Sequence, residues 1–227
     1  MEIDSIEDIE EVRRSFSAKF KLKLIWFDQR LIFKNLNEDM FLNLPTKKER
    51  RKLWMPVLIF ENTAENYETP VDEKARIYVE RLGNYTVSSM GEIEEIAYYK
   101  GSENRLQYIR TFHLRFKCEF KLHKFPFDTQ VCKIKLRMPN KRKKFINYIP
   151  YELKYMGNKD IGNFYISDLN MVETTFNRSD TDIEVRIILM RRLGKHVLST
   201  YLPSFCILMS AQVRFIISFH NVYKHLF

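Results

Sequence analysis

Between Cys118 and Cys132 the chain reads CEFKLHKFPFDTQVC, two cysteines bracketing thirteen residues. Phe116, Cys118, Phe120 and Leu122 alternate with Lys117, Glu119, Lys121 and His123, which predicts an extended strand with one apolar and one polar face. Phe125-Pro126-Phe127-Asp128 then forces a turn, because proline fixes φ and has no N–H to give to a ladder. After the turn Ile134, Leu136 and Met138 alternate against Lys133, Lys135 and Arg137. The stretch therefore reads as two strands folded back on each other. A disulfide closing a loop of this length would contribute roughly 3 kcal/mol in the chain-entropy treatment.

The same period of two recurs elsewhere. Lys19 to Trp26 sets Phe20, Leu22 and Leu24 against Lys19, Lys21 and Lys23. Arg76 to Leu82, Tyr85 to Ser89 and Ile93 to Tyr99 follow as strands, separated by Gly83-Asn84 and Gly91, ordinary hairpin chemistry. Phe112 to Leu122, Phe145 to Tyr155, Phe164 to Met171 and Ile183 to Met190 complete the set. Residues 4 to 12 are acidic and read as an edge strand or a loop, and Asn43 to Lys52 as a short helical turn or loop. Eight or more short strands without an amphipathic helix predict an all-β fold, a β-sandwich of immunoglobulin-like type. With 227 residues, 45% of them hydrophobic and 14% aromatic, the chain can fill one sizeable core and carry an appendage.

The C-terminal region breaks the pattern. HVLSTYLPSFCILMSAQV, from His196 to Val213, has no charge apart from its titratable histidine, and eighteen such residues reach the short limit for a spanning helix. Pro203 is tolerated in a membrane helix. A membrane helix is the expectation. Basic residues flank both ends (Arg191, Arg192, Lys195; Arg214, Lys224), so charge asymmetry does not orient it.

The formal charge of +9 is spread as single lysines and arginines on strand faces. Only Lys47 to Lys52 and Lys141 to Lys144 cluster, neither inside a nucleic-acid-binding motif, so no nucleic-acid partner is expected. The five histidines show no metal-ligand spacing, and neither a phosphate loop nor a Gly-x-Ser-x-Gly elbow occurs; no enzyme, cofactor or metal site is expected. Three cysteines allow at most one internal pair. A pair would imply the secretory route, with which the sequons at Asn84 and Asn177 agree as glycosylation sites. The opening MEIDSIEDIEEVRR is acidic and has none of the apolar stretch of a signal peptide, so a fragment or an incomplete gene product is expected.

Cys118, Phe120, Leu122, Phe125, Pro126, Asp128 and Cys132, at these spacings, meet every defined position of the signature of the Cys-loop receptors, the pentameric neurotransmitter-gated ion channels, and the chain resembles that family over most of residues 10 to 212. Trp26, Asp28 and Arg30 resemble the family's fold-holding tryptophan-x-aspartate-x-arginine segment, and Trp54 and Pro56 its tryptophan-x-proline segment, although Val57 stands where the family has aspartate. Arg191-Arg192-Leu193-Gly194 followed by Thr200-Tyr201-Leu202-Pro203 resembles the family's junction and first transmembrane helix, in a form more similar to the anion-conducting branch.

The resemblance implies a Cys118–Cys132 disulfide and an extracellular ligand-binding sandwich over residues 1–190. It also implies a junction and first membrane helix over 191–213, a divergent tail over 214–227, and a plasma-membrane location with the sandwich outside. Other receptor subunits in a pentamer and a small-molecule neurotransmitter would be the partners. Gating would pass through Phe125, Pro126, Phe127 and Asp128, with Arg191 near Asp128. In the family, agonist sits in an aromatic box that holds an ammonium by cation–π attraction. Here Pro139 and Lys141 occupy places where aromatics are expected, and Glu61 another. Tyr148, Tyr151, Phe164, Tyr165 and Phe176 are the substitutes to consider, and Lys21 and Lys23 could meet a ligand carboxylate. A subunit of a neurotransmitter-gated channel, more like the anion type, is the reading that follows. A non-conducting, assembly-modulating relative is the alternative.

Overall fold

A computed structural model describes residues 1–63, 75–87, 96–137, 148–176 and 180–225. In chain order its strands are β1 (Glu2–Glu10), β2 (Ser15–Trp26), β3 (Ile32–Lys34), β4 (Ile59–Phe60), β5 (Arg76–Glu80), β6 (Tyr85–Val87), β7 (Ala97–Lys100), β8 (Arg105–Lys117), β9 (Thr129–Arg137), β10 (Lys154–Tyr155), β11 (Asp160–Ile161), β12 (Phe164–Phe176) and β13 (Asp180–Arg191). The helices are α1 (Lys47–Arg50), α2 (Leu193–His196) and α3 (Leu202–His225).

Two five-stranded sheets, ordered β10-β1-β2-β8-β5 and β11-β12-β13-β9-β4, stack as a sandwich, and β3-β7-β6 forms a small third sheet. The alternation read from the sequence supplies the core. Phe16, Phe20, Phe112 and Phe116 from the first sheet meet Phe60, Ile134, Leu136, Val185, Ile187 and Leu189 from the second, all buried. The five phenylalanines form a ladder of rings with centroids 5.2 to 6.1 Å apart. Buried aromatic area of this kind is the largest single contribution to such a core. A second cluster, around Ile77, Val79, Tyr99, Leu106 and Tyr108, fills the far end beside the third sheet.

Trp26, Asp28 and Arg30 lie where β2 leaves the sheet. Asp28 is buried and takes both guanidinium arms of Arg30, at 2.9 and 2.7 Å, together with the Arg30 amide at 3.1 Å. Those hydrogen bonds hold the Asp28 carboxyl below its usual range, against partial desolvation. Gly101 donates its N–H to Leu31 O so close to this turn that a Cβ would stand 2.2 Å from Asp28 O. Trp54 meets Trp26 edge-on at 6.4 Å.

Two expectations need correcting. The strand from Phe112 does not reach Leu122: it begins at Arg105 and stops at Lys117. There the partner strand runs out: Cys118 still donates its N–H to Arg14 O at 2.8 Å, but Arg14 belongs to the turn between β1 and β2 and gives its own N–H to Glu11 O, and a 3₁₀ turn over Leu122–Lys124 leaves Leu122 half exposed. Of the strand expected over Phe145–Tyr155, the described part forms only β10, parallel to Glu2–Ile3. Pro150 has no N–H for a ladder, which fits the lack of a strand over residues 148–153. Residues 4 to 12 are chiefly strand, and Lys47–Arg50 is a helical turn opened by a Thr46–Glu49 capping box.

After Arg191 the chain turns directly into helix. α2, a π-wound turn over Val197–Tyr201 and α3 make one run to His225, with no break at residue 213. The wide turn precedes Pro203, whose ring would collide with a carbonyl of a regular α-turn. The Ser204 hydroxyl donates to Thr200 O at 2.7 Å, satisfying one of the carbonyls there. Val197–Ile217 is long and apolar enough to cross a membrane, and its large apolar side chains are exposed.

Candidate functional site

The loop expected to be closed by Cys118 and Cys132 is closed, with Cα atoms 5.0 Å apart. Both cysteines are buried at the base of the sandwich, while Phe127 at the tip is 72% exposed and Phe125 45%. The Phe125–Pro126 peptide is cis. An apolar tip on a polar domain is expected to contact another surface.

Strand register brings the charges together. Arg191 ends β13 opposite Phe164 of β12, and Met190 beside it pairs with Thr129, the first residue of β9 after Asp128. The Arg191 guanidinium therefore lies inside the loop. It gives Nε to Asp128 Oδ1 at 2.6 Å and Nη2 to Oδ2 at 2.9 Å. It also gives Nη1 and Nη2 to Glu11 Oε1 and Oε2, at 2.6 and 2.9 Å. Four of the five guanidinium N–H groups are thus engaged by carboxylates. The Arg191 Cζ lies over the Phe125 and Phe164 rings, 4.8 and 4.7 Å from their centroids. Gln130 donates to Asp128 Oδ2 and ties the loop backbone through Lys121 N and Lys121 O.

Both partners are almost wholly removed from water: the Arg191 and Asp128 side chains are 1% and 2% exposed. Burial opposes the charge on each, but the mutual hydrogen bonds outweigh it. The Asp128 carboxyl is held low by Arg191 and Gln130, and the guanidinium of Arg191 is held high by Asp128 and Glu11. A carboxylate whose folded value lies below its unfolded one stabilises the fold above the ordinary range, about pH 4, and stops doing so as pH falls through the folded value. Acidification below about pH 4 should therefore loosen the loop. Asp128→Asn should flatten the acid limb of a stability-against-pH curve, followed by tryptophan fluorescence.

The sequence reading placed Asp128 near Arg191 but missed Glu11 and Gln130. Glu11 sits in an acidic run that reads as solvated surface. Gln130 did leave a signal, being the polar member of the inward row Gln130, Cys132, Ile134, Leu136.

The ligand candidates separate. Lys23, Tyr148 and Tyr151 line one cleft of about 490 Å³ high on the sandwich, with Trp26, Trp54 and Arg105. Tyr148 donates its hydroxyl to Val57 O at 3.1 Å, while Tyr151 is 86% exposed. Arg105 is held by Glu80 at 2.6 and 3.0 Å. Lys21 instead lies 3.5 Å from Glu2 and is outside the cleft's lining. Phe164 is a correction: it is buried at the opposite end, packed on Phe120 and Arg191, because its register with Arg191 points it into the core. Tyr165 is partly exposed beside it, paired with Met190. Phe176 closes β12 at the other end. Asn84 is exposed. Asn177, Pro139 and Lys141 lie outside the described residues.

Residues 1–193 match the family model described as the neurotransmitter-gated ion-channel ligand binding domain. Among curated proteins the chain is 22% identical over 226 residues to the gamma-aminobutyric acid receptor subunit rho-3 of Rattus norvegicus, covering 95% of this chain and 43% of that protein. It is 22% identical over 223 residues to the subunit of the same name from Homo sapiens, covering 94% and 43%. The chain thus spans less than half the length of these relatives.

Proposed function

The chain belongs to the neurotransmitter-gated ion-channel family, whose members are ligand-gated receptors and not enzymes, and on that premise we propose that it is a subunit of a pentameric, plasma-membrane channel of the anion-conducting type. The sandwich faces the outside and carries glycans at Asn84 and Asn177. Ligand binding between subunits is relayed to the membrane helix through Phe125, Pro126, Phe127, Asp128 and Arg191. The observation that carries this is the buried Arg191, held by carboxylates from two separate loops, two residues before the helix begins. A pair of conformations that differ in these contacts is a two-state element that ligand can bias.

The anion type is supported by Tyr201-Leu202-Pro203 and by similarity to receptor subunits named for gamma-aminobutyric acid. The ligand class we assign is accordingly a small amino acid. Lys23 in the cleft offers a cation to its carboxylate, and Tyr148 and Tyr151 offer rings to its ammonium.

The test is electrophysiology in oocytes, with the chain expressed alone and with co-expressed channel subunits, during application of gamma-aminobutyric acid, glycine and glutamate. Evoked current that reverses at the chloride equilibrium potential supports the proposal. Phe127→Ala, at an exposed position, should leave stability within about 0.5 kcal/mol of the parent yet lower ligand sensitivity. A chain that evokes no current in any combination, or current indifferent to Phe127 and Arg191, would overturn it.

A further inference from the structure

Strand register aims the tip of the disulfide loop along the path by which the chain leaves the sandwich. β13 and β9 run antiparallel, and their last pair is Met190 with Thr129. One step further the Arg191 amide donates to Asp128 O at 3.5 Å, so Asp128 is level with Arg191 and Phe127 lies beyond it. The Phe127 Cα is therefore within about 11 Å of the Arg191 Cα, and the helix starts at Leu193. Loop tip and helix leave the same end of the sandwich side by side.

The tip has a fixed shape. Phe125 gives its N–H to Leu122 O at 3.0 Å, Phe127 gives its own to Lys124 O at 2.7 Å, and the Gln130 side chain clasps both backbone groups of Lys121. Pro126 is buried beneath. This winding turns apolar groups outward: Phe127 and Leu122 are exposed, while the Phe125 ring is engaged by the Arg191 guanidinium. Val197, Leu198, Tyr201 and Leu202 of the helix are exposed as well, so helix and tip do not cover each other.

Charge completes the surface. At this end Arg191 is taken by Asp128 and Glu11, and Arg192 by Asp160. Lys121 and Lys124 flank the apolar tip, are exposed, and have no ion-pair partner among the described residues.

The levels also agree. The apolar span begins at Val197. From Leu193 to Val197 a helix rises about 6 Å, and the headgroup layer on each side of the hydrocarbon is roughly 5–8 Å thick. With Val197 at the hydrocarbon edge, the end of β13 stands at the outer boundary of the headgroups. Phe127, which projects past Arg191, then reaches into them.

We propose that the loop tip is a phospholipid-binding anchor. Phe127 and Leu122 enter the headgroup layer of the leaflet on the sandwich's side, and Lys121 and Lys124 bind lipid phosphates. Aromatic and apolar side chains at headgroup depth, with lysines reaching the phosphates, make a favourable interfacial contact. The proposal rests on the helix spanning a membrane and is independent of which ligand or ion the protein handles. Because Asp128 follows Phe127 directly, the leaflet bears on the Arg191 cluster through a single peptide link.

The experiment places the full chain carrying Phe127→Trp in phosphatidylcholine nanodiscs, with lipid either plain or brominated near the headgroup end of its acyl chains. Trp26 and Trp54 line the cleft high on the sandwich, so the parent supplies a background that bromine should not quench. The indole introduced by Phe127→Trp should lose at least about half of its emission to brominated lipid. Adding Lys121→Gln and Lys124→Gln should weaken that quenching at least about twofold, and phosphatidylserine should strengthen it only while both lysines are present. These positions are exposed, so each variant should keep the parent's denaturation midpoint, which shows that it folds. Phe205→Trp, within the helix, is the control for insertion. Quenching of Phe205→Trp with none of Phe127→Trp would leave the membrane helix standing and overturn the anchor. Absence of quenching in both would remove the membrane reading and the anchor with it. Quenching of Phe127→Trp that is indifferent to the two lysines would overturn phosphate binding. Quenching that vanishes when a rho-type subunit is co-expressed would give the tip to protein helices and overturn lipid as its occupant.

Discussion

Replacing Arg191 by Gln is expected to remove roughly 3–5 kcal/mol of folding stability, because it strands a buried carboxylate. Asp128 is as deeply buried as its partner, and without the guanidinium its Oδ1 keeps no side-chain donor among those seen here. The readout is chemical denaturation of the detergent-solubilised chain, followed through its two tryptophans, Trp26 and Trp54. Both lie in the upper half, so a fall in the midpoint there reports loss of the fold as a whole. Asp128→Asn should cost less, since Glu11 still holds Arg191 by two bonds. Removing both acids as Glu11→Gln with Asp128→Asn should cost more than the two single changes together, as expected for members of one network. A variant at Arg191 that unfolds at the parent's midpoint would show that the cluster contributes no net stability. In that event only its role in switching would remain to explain it.

Opening the disulfide is the second large effect. Cys118 and Cys132 are fourteen positions apart in sequence. A crosslink of that span contributes about 3 kcal/mol through the unfolded chain alone. Cys118→Ser with Cys132→Ser should lose at least that amount, because each hydroxyl would replace sulfur in a buried apolar setting. The loss should be measurable both as a lowered denaturation midpoint and as faster proteolysis after Lys121 or Lys124, which are exposed on the loop. Equal stability of the double variant and the parent would mean that the turn at Phe125-Pro126 and the Gln130 bonds hold the loop unaided.

Much of this architecture was legible in the residues. Alternation located β2, β9 and β13 because their inward rows are mainly apolar, and the uncharged run at the C-terminus announced the helix. What failed was anything dependent on partners distant in sequence. Phe112 to Leu122 alternates perfectly, yet the strand stops at Lys117, since its partner β2 begins at Ser15 and Arg14 before it is already in the turn. β1 was half hidden because its acids outnumber its apolar residues, and of those only Ile3 and Ile6 are buried, with Ile9 at the margin of the core. At the site, Asp128 and Arg191 could be joined because both stand in recognisable surroundings. Glu11 could not: it is one acid among several, chosen by the geometry of the turn after β1. Phe164 misled for the opposite reason, as an aromatic near the right place whose register turns it beneath a guanidinium instead of toward a ligand.

The junction itself has mechanical implications. Arg191 ends the strand, Arg192 is bonded to Asn163 O at 2.8 Å and ion-paired with Asp160, and the helix starts at Leu193. There is no slack between sheet and helix. The helical run from Leu193 to His225 is a rod of about 50 Å at 1.5 Å per residue, so a pivot of about 10° at Arg191 would sweep its far end by roughly 9 Å. A sub-ångström adjustment in the ladder beside Phe164 is thus geared up by leverage, and the stiffness of that one-residue joint sets how much of the sandwich's movement arrives at the other end.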